Sequence, residues 1–417
     1  MKIRYFLPLI ILASAMFAGL AWTSDWGFFG HRRINRMAVF TLPPDMMHLF
    51  KKNIDYLTDH AVDPDKRRYA TKHEAVRHYI DIDHWGTYPF DNIPRNWTDM
   101  LMKFTDVYMV SERGDTLQIM GNEMVDFGDK YITFKNPKFL KRSGPDPVLE
   151  KKVYRQFFSD FILPQYYEDD WILDCEAVNE LLSKTGLKYK CSSIVAKDRF
   201  SEYGILPYHL ISMQRRLTNA FTDGDSKKIL RLSAEFGHYI GDAHVPLHTT
   251  ENYNGQMTNQ VGIHGFWESR IPELFADKDW DYFVGKAEYI DDAEEYYWDI
   301  VLKSHSYLDS VLLIEKDLSK KFPEDKQYCY DERLQRTIRT QCKEYAAAYA
   351  DRMDGMVEAR FQASILAIGS AWFTAWVDAG QPDLRKLGGF ELTEAERKEQ
   401  QETENLFNKG EIKGREH

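Results

Sequence analysis

The spacing of apolar residues along the chain predicts a mainly helical protein. Four stretches place apolar residues three and four positions apart, as the buried face of a helix requires. These stretches are residues 41–61, 226–244, 291–322 and 345–377. The last one contains a mainly apolar run of 15 residues from Ala363 to Val377. That run is too short to span a bilayer, so it predicts a buried core helix.

Alternation typical of strands is confined to about residues 104–136. Within that range, residues 107–121 predict a hairpin and residues 130–136 a third strand. The final segment, residues 392–417, has many charges and few apolar residues, which predicts an exposed helix or a disordered tail. The expected fold class is therefore mainly all-α with a small β-containing insertion.

The first 21 residues predict a signal peptide. Lys2 and Arg4 precede an apolar run that ends in the small-residue stretch AGLA. The expected location is secreted or periplasmic, and the alternative is a membrane tether through an uncleaved signal. A net charge of −11 argues against a broad basic surface that binds nucleic acid.

The four cysteines fall into two local pairs, Cys175 with Cys191 and Cys329 with Cys342. In an exported chain, an even number at such short separations favours two disulfides that close small loops. A zinc site is the alternative, but neither spacing resembles C-x-x-C.

The stretch EFGHYIGDAHVPLH, residues 235–248, predicts a metal site. His238 and Asp242 are four positions apart and therefore share one helical face. Pro246 ends or bends that helix, so His248 follows on a different backbone path. His244 points away from the His238 face and is expected to be structural or to support the ligands.

A second pair with the same spacing, His264 and Glu268, lies in GIHGFWESRIPELF. Both side chains can bind one ion from one helical face. Pro272 would crowd the carbonyl of Glu268, which predicts a kink just past the pair. Nitrogen and oxygen ligands together favour zinc.

Three upstream clusters are weaker candidates. His31 stands at the entry to a predicted helix, and alone it is more typical of a structural residue. Asp63 and Asp65, in DHAVDPDKRRYA, are by themselves typical of a solvated charged loop. In HEAVRHYIDIDHW the histidines His73, His78 and His84 compete with Asp81 and Asp83, and the spacing does not choose among them.

The order of these motifs resembles that of the zinc-dependent phospholipases C and the related zinc-dependent single-strand nucleases. The resemblance runs from Trp26 to Glu268: Trp, His, Asp, His, then H-x-x-x-D-x-x-x-x-x-H, then H-x-x-x-[DE]. Those enzymes are mostly α-helical and hold three zinc ions in a cleft. The resemblance implies a hydrolase domain over residues 22–385 with an insertion at about 86–205, followed by a charged tail, 386–417.

The resemblance also implies ligands for three zinc ions. The ligands of the first ion would be Asp63, His78, His238 and Asp242. The ligands of the second would be His248, His264 and Glu268. The third would be held by His31 and Asp242, and the backbone of Trp26 would complete it if Trp26 became the mature N-terminus.

Two departures from the family concern the mature N-terminus and the spacing of the motifs. Signal-peptidase rules favour cleavage after Ala21, which would leave Trp22 rather than Trp26 at the N-terminus. His78 and His238 are 160 positions apart, which also exceeds the usual connection. This insertion could roof or narrow the cleft.

Two further departures concern side chains. Glu268 matches the phospholipases, where the nucleases usually have aspartate. Lys66 stands three residues after Asp63, where the nucleases carry an arginine that neutralises phosphate, and Arg67 or Arg68 could substitute. In the family the counterpart of Asp63 is proposed to orient the attacking water, so the expected catalytic residues are Asp63, Lys66 and Arg67.

The function implied is that of an exported zinc-dependent phosphodiester hydrolase of the phospholipase C type, with no stable protein partner expected. The substrate would be a phospholipid head group or, as the alternative, single-stranded nucleic acid. A nuclease would need aromatic platforms for bases, and Tyr79, Trp85 and Phe266 are candidates, although aromatic residues are more often core. A second alternative is a non-catalytic binding protein that zinc stabilises.

Overall fold

The computed structural model describes residues 28–415 apart from residues 111–113, 115, 122, 136–144, 169, 187–192, 334–335, 388–392, 411 and 414. The predicted signal peptide, Trp26 and Cys191 lie outside the described residues. The chain divides into two compact units. The second unit is Ile82–Tyr208, and the first combines the residues up to Asp81 with those from His209 onward.

The described residues are mainly helical, which confirms the predicted class. The α-helices, in chain order, are α1 (Phe28–Ala38), α2 (Pro44–Phe50), α3 (Ile54–Asp59), α4 (Asp63–Arg67), α5 (Lys72–Ala75), α6 (Trp97–Phe104), α7 (Lys151–Phe157), α8 (Cys175–Ser183), α9 (Leu206–Asp223), α10 (Ser226–Ala243), α11 (Ile263–Gly265), α12 (Ile271–Asp279), α13 (Ala293–His305), α14 (Leu308–Lys321), α15 (Lys343–Arg352), α16 (Met356–Asp378) and α17 (Glu394–Lys409). The strands are β1 (Thr105–Val110), β2 (Thr116–Met120), β3 (Val125–Phe127), β4 (Tyr131–Phe134), β5 (Val148–Glu150), β6 (Trp171–Leu173), β7 (Ser193–Asp198), β8 (Tyr328–Arg333) and β9 (Arg336–Gln341).

Each of the four periodic stretches contains helix, but three of them are divided. The stretch 41–61 contains α2 and α3. The stretch 291–322 forms α13 and α14, and the stretch 345–377 falls within α15 and α16. Gly355 lies between α15 and α16 with a φ of 74°. Glycine adopts this left-handed conformation without the strain that a Cβ would cause, so the backbone can change direction there.

The core of the first unit surrounds α16, whose apolar run is buried as predicted. The indole of Trp372 on α16 donates to the carbonyl of Ser233 on α10 at 3.0 Å. Asn35 on α1 donates from its amide to the carbonyls of Leu57 on α3 and Ala234 on α10, at 3.2 and 2.9 Å. These bonds satisfy polar groups inside an apolar core and fix how the helices cross. Among the described residues, no helix is long and apolar enough to cross a membrane.

The second unit holds two antiparallel sheets. One has the strand order β2-β1-β7-β6 and the other β3-β4-β5. The predicted hairpin forms β1 and β2, and the predicted third strand forms β4. The expectation that strands are confined to residues 104–136 is wrong, because β5, β6, β7 and the hairpin β8–β9 lie beyond them. Strands as short as β5 and β6, three residues each, leave no visible alternation in a sequence.

The predicted disulfide between Cys329 and Cys342 is present, with Cα atoms 5.0 Å apart. It joins β8 to the residue that precedes α15. The pairing of Cys175 with Cys191 stays a prediction, because Cys191 is not described.

The charged final segment forms α17, and this helix is anchored to the first unit. The ring of Phe407 packs on those of Phe28 and Tyr69, with centroids 5.7 and 5.2 Å apart. Glu404 pairs with Lys66 at 2.7 Å. The first of the two alternatives predicted for this segment, an exposed helix, is confirmed for residues 394–409, and a few side chains anchor that helix to the first unit.

Candidate metal centre

Five histidines and three carboxylates of the first unit lie close enough together to hold metal ions. They form four overlapping groups, and within each group the potential ligand atoms lie within 4.8 Å of one another. The groups are His31/Asp65/His238, His78/His238/Asp242, His248/His264/Glu268 and His31/Asp242/Glu268. All five histidines and Asp242 are buried. Seven of the eight residues are predicted as ligands from the sequence, and the eighth, Asp65, is not.

Two prolines position the ligands that α10 cannot carry itself. His238 and Asp242 lie one turn apart on α10, which ends at Ala243. Pro246 begins a short 3-10 helix, Pro246–Thr249, and this turn carries His248. Since the chain has left the helical path, His248 reaches a different group from its neighbours.

The second proline follows the His264 and Glu268 pair. His264 lies on α11, and Glu268 lies on a π-helical turn, Phe266–Arg270. Pro272, near the start of α12, has no N–H to donate to the carbonyl of Glu268. The helix is distorted at the pair itself, as a π-helical turn, which is a distortion that frequently marks functional sites. A kink just past the pair stays a prediction.

Backbone carbonyls orient two of the imidazoles. His238 places Nδ1 2.8 Å from the carbonyl of Ala61, and His248 places Nδ1 2.6 Å from the carbonyl of His78. A carbonyl only accepts, so Nδ1–H donates in both cases. Nε2 of each neutral ring then presents its lone pair to the groups.

The carboxylate of Asp242 faces two groups at once. Its Oδ2 lies 2.9 Å from His78 Nδ1 and 3.4 Å from His238 Nε2. Its Oδ1 lies 3.3 Å from His31 Nε2 and 4.0 Å from His248 Nε2. One carboxylate that directs its two oxygens to different sets of imidazoles has the geometry of a bridging ligand.

Glu268 is arranged in the same way. Its Oε2 lies 2.6 Å from His264 Nε2 and 3.3 Å from His248 Nε2. Its Oε1 lies 3.4 Å from His31 Nε2. Glu268 therefore connects the His248/His264 pair to the imidazole that Asp242 also approaches.

The charges of the centre separate the histidine pKa values. Burial lowers the pKa of His238 to about 4, although the Asp242 carboxylate acts in the opposite sense. Burial also disfavours the charged form of His31, but Glu268 and Asp242 outweigh it and raise the pKa of His31 to about 9. Despite burial, the neighbouring histidines, His238 first, hold the pKa of Asp242 well below its usual range. His238 is therefore neutral near pH 7 and can offer a lone pair to a metal. His31 would have to release a proton before it could bind one.

The structure places Asp63, a predicted ligand, outside the four groups. Its carboxylate lies 2.6 Å from His60 Nδ1, and it belongs to none of the groups found among the described residues. Asp65, two positions later on α4, lies 3.7 Å from His238 Nε2 and 3.9 Å from His78 Nδ1. The helical turn that begins at Asp63 directs the second carboxylate to the histidines.

Lys66 and Arg67, predicted as catalytic, bond to side chains outside the groups. Lys66 pairs with Glu404, as described above. Arg67 donates to Glu74 at 3.2 Å and to Glu235 at 2.8 Å. Glu74 in turn lies 3.7 Å from His78 Nε2, so Glu74 connects Arg67 to His78.

Arg68 is the basic side chain that pairs with Asp65. Its Nη1 lies 3.3 Å from Asp65 Oδ1. The pair has the three-residue spacing that the resemblance implies for an aspartate and an arginine. Counting three residues from Asp65 instead of from Asp63 leads to Arg68 instead of Lys66.

Replacing Asp65 by asparagine is expected to lower the affinity for zinc about tenfold or more, because it removes a charged oxygen that faces two histidines. Asp63→Asn is the matched control, since it changes the same chemistry two residues away and should leave the affinity within about twofold. Competition with a chelating dye measures both. Equal losses in the two variants would contradict the assignment of Asp65.

The residues present fit a metal centre. The lone pairs of His238 and His248 converge with three carboxylates in a buried space, and His238 Nε2 lies only 3.1 Å from His78 Nδ1. Two imidazole nitrogens at that distance are well placed to bind one cation together. Compared with protein-family models and with curated proteins, the chain matches none of them.

Proposed function

We propose that this protein is an exported zinc-dependent phosphodiester hydrolase of the phospholipase C type, related to the zinc-dependent phospholipases C and single-strand nucleases. The observation that carries the proposal is the pair of bridging carboxylates. Asp242 and Glu268 each direct two oxygens to different histidine groups, which suits adjacent ions rather than one isolated ion.

Three zinc ions are proposed, with Asp65 in the place first expected for Asp63. The first would be held by Asp65, His78, His238 and Asp242. The second would be held by His248, His264 and Glu268, and the third by His31 with Asp242. Since a structural zinc site is usually closed by four protein ligands, three ligands at the second ion favour catalysis over a non-catalytic role.

The net charge of the proposed zinc centre favours an anionic substrate. Three zinc ions would carry six positive charges, and the three carboxylates would offset three of them. The remaining positive charge in a buried site attracts an anion, and a phosphodiester is suitable. Arg68 supports this, because its buried Nε has no hydrogen-bond partner among the described residues. We propose that Arg68 binds a phosphate oxygen.

When bound, zinc would supply Lewis-acid chemistry and lower the pKa of a coordinated water toward neutrality. Asp65 would orient that water and accept its proton. Its side chain is 18% exposed and is therefore reached by solvent, which supports this role. Arg68 would hold the phosphate, and the buried histidines would fix the geometry.

One observation favours a single-strand nuclease as the second candidate. The rings of Tyr79 and Tyr253 both lie against one planar group, the guanidinium of Arg415, at centroid distances of 4.1 and 3.7 Å. Two rings spaced in this way could also hold a nucleobase. The other proposed platform near the centre, Phe266, is instead core and stacks on Tyr345. Trp85 stacks on Phe200 in the second unit.

The proposal is tested by comparing hydrolysis of phosphatidylcholine with that of single-stranded RNA and DNA by the zinc-loaded protein. Each assay is paired with a chelator control. Chelator-sensitive lipid cleavage is expected, and chelator-sensitive cleavage of nucleic acid would establish the second candidate instead. If zinc binds but no diester is cut, the protein is a zinc-stabilised binding protein and the proposed function is wrong.

A further inference from the structure

The chain that follows α17 lies along the metal-binding residues of the first unit. The amide of Lys413 donates to the carbonyl of Arg68 at 3.1 Å, and Lys413 Nζ donates to the carbonyl of Ala70 at 3.1 Å. Arg68 Nη2 returns a bond to the carbonyl of Arg415 at 2.7 Å. The segment therefore engages the guanidinium that we propose for phosphate binding.

The side chain of Arg415 is enclosed by its partners. Its Nη1 lies 2.7 and 2.6 Å from the two carboxylate oxygens of Asp81, and its Nη2 donates to the carbonyl of Thr250 at 2.9 Å. The two tyrosine rings described above flank the same guanidinium. We call Tyr79, Asp81, Thr250 and Tyr253 the Arg415 clamp. Only 14% of the Arg415 side chain is exposed.

The clamp is continuous with the metal ligands. Tyr79 and Asp81 follow His78, and the amide of Ile80 between them donates to the carbonyl of His248 at 2.9 Å. Thr250 lies two residues after His248, and the ring of Tyr253 is 6.4 Å from that of His264. A guanidinium held there occupies space directly beside the proposed second zinc site.

Two anchors hold this segment from its other end. Phe407 packs on Phe28 and Tyr69, and Glu404 pairs with Lys66. Because α17 is fixed at these points, Arg415 is presented to the clamp at a high effective concentration. Beyond α17, the described contact consists of the side chains of Lys413 and Arg415 and one main-chain group of each, so few bonds must break for it to open.

We propose that α17 and the described residues that follow it, Lys413 and Arg415 among them, form an autoinhibitory strap in which Arg415 fills the clamp beside the metal centre. A ligand that carries both a phosphate and a planar group must then displace Arg415 before it binds fully. This inference rests on the proposed function in one respect: the strap inhibits the enzyme only if the displaced ligand is the substrate of the proposed hydrolase.

The test compares Arg415→Ala with Arg415→Lys and with Arg352→Ala. Arg352 is the matched control, because it also pairs with an aspartate, Asp317, at 2.9 Å, but on the exposed surface of α15. Calorimetry with thymidine 5′-monophosphate and zinc-loaded protein measures access to the clamp, since this probe has a phosphate and a planar ring.

Arg415→Ala is expected to bind the probe about tenfold more tightly, because the competing charge-assisted bonds and ring contacts are gone. Arg415→Lys should give a smaller gain, since lysine keeps the charge but loses the planar fork. Arg352→Ala should be unchanged. Hydrogen exchange at the Lys413 amide should accelerate in Arg415→Ala and not in the control.

Weaker binding in Arg415→Ala would overturn the strap and make Arg415 a ligand-binding residue. Unchanged binding would also overturn it. Parallel assays with the diester substrates separate the two proposals. Tighter probe binding in Arg415→Ala, with no hydrolysis by any form of the protein, would uphold the strap and refute the hydrolase.

Discussion

Asp242→Ala is expected to remove bound zinc and hydrolytic activity together. The substitution takes away both oxygens of a bridging carboxylate and leaves four imidazoles facing one another without a shared anion. Removing a supporting partner of a ligand already lowers metal affinity by about 10- to 100-fold, so loss of this ligand should cost at least as much. Elemental analysis of the purified protein measures zinc, and the diester assay measures activity. His238→Ala should give the same result, because its Nε2 belongs to two groups.

His244→Gln is the control for both variants. His244 is buried just past the end of α10, and its Nδ1 lies 2.7 Å from the carbonyl of Ile240. Glutamine can still donate a hydrogen bond, and His244 belongs to none of the groups found among the described residues. Zinc content and activity should therefore stay near the level of the unaltered protein. Full zinc occupancy in Asp242→Ala and His238→Ala would disprove the proposed centre.

Gly237→Ala should cause the largest loss of stability, about 3 kcal/mol in the free energy of unfolding. A Cβ at this position would lie 1.9 Å from Asn35 Oδ1 and 2.8 Å from Asn35 Cγ. The amide of Asn35 cannot move away without breaking its bonds to Leu57 and Ala234. The substitution would therefore separate α1 from α10, and with them His31 from His238.

Urea denaturation of the metal-free protein measures this loss without any contribution from zinc binding. Gly265→Ala is the matched control, because no atom lies within 4 Å of a Cβ added there and its φ is −61°. That variant should change the free energy of unfolding by no more than about 1 kcal/mol. Equal effects of the two substitutions would show that α1 and α10 do not need the close approach at Gly237.

The sequence by itself determined what depends on neighbours a few positions away. The helical class follows from apolar spacing, and the pairs His238/Asp242 and His264/Glu268 follow from the pitch of a helix. The two prolines predicted where the backbone would leave the helical path. A disulfide between Cys329 and Cys342 was also predictable, because a short loop favours pairing within it.

Only the tertiary structure decided which distant residues join those pairs. Spacing alone did not distinguish His78 from its neighbours, and only the resemblance to known enzymes selected it. Its position at the centre depends on bonds to residues more than 160 positions away. The same holds for Asp65 over Asp63, since two carboxylates on one short helix differ only in what lies opposite them. Arg415 reaches Asp81 across 334 positions. Apolar and polar periodicity reports which face of an element is buried, but it does not report which other element covers that face.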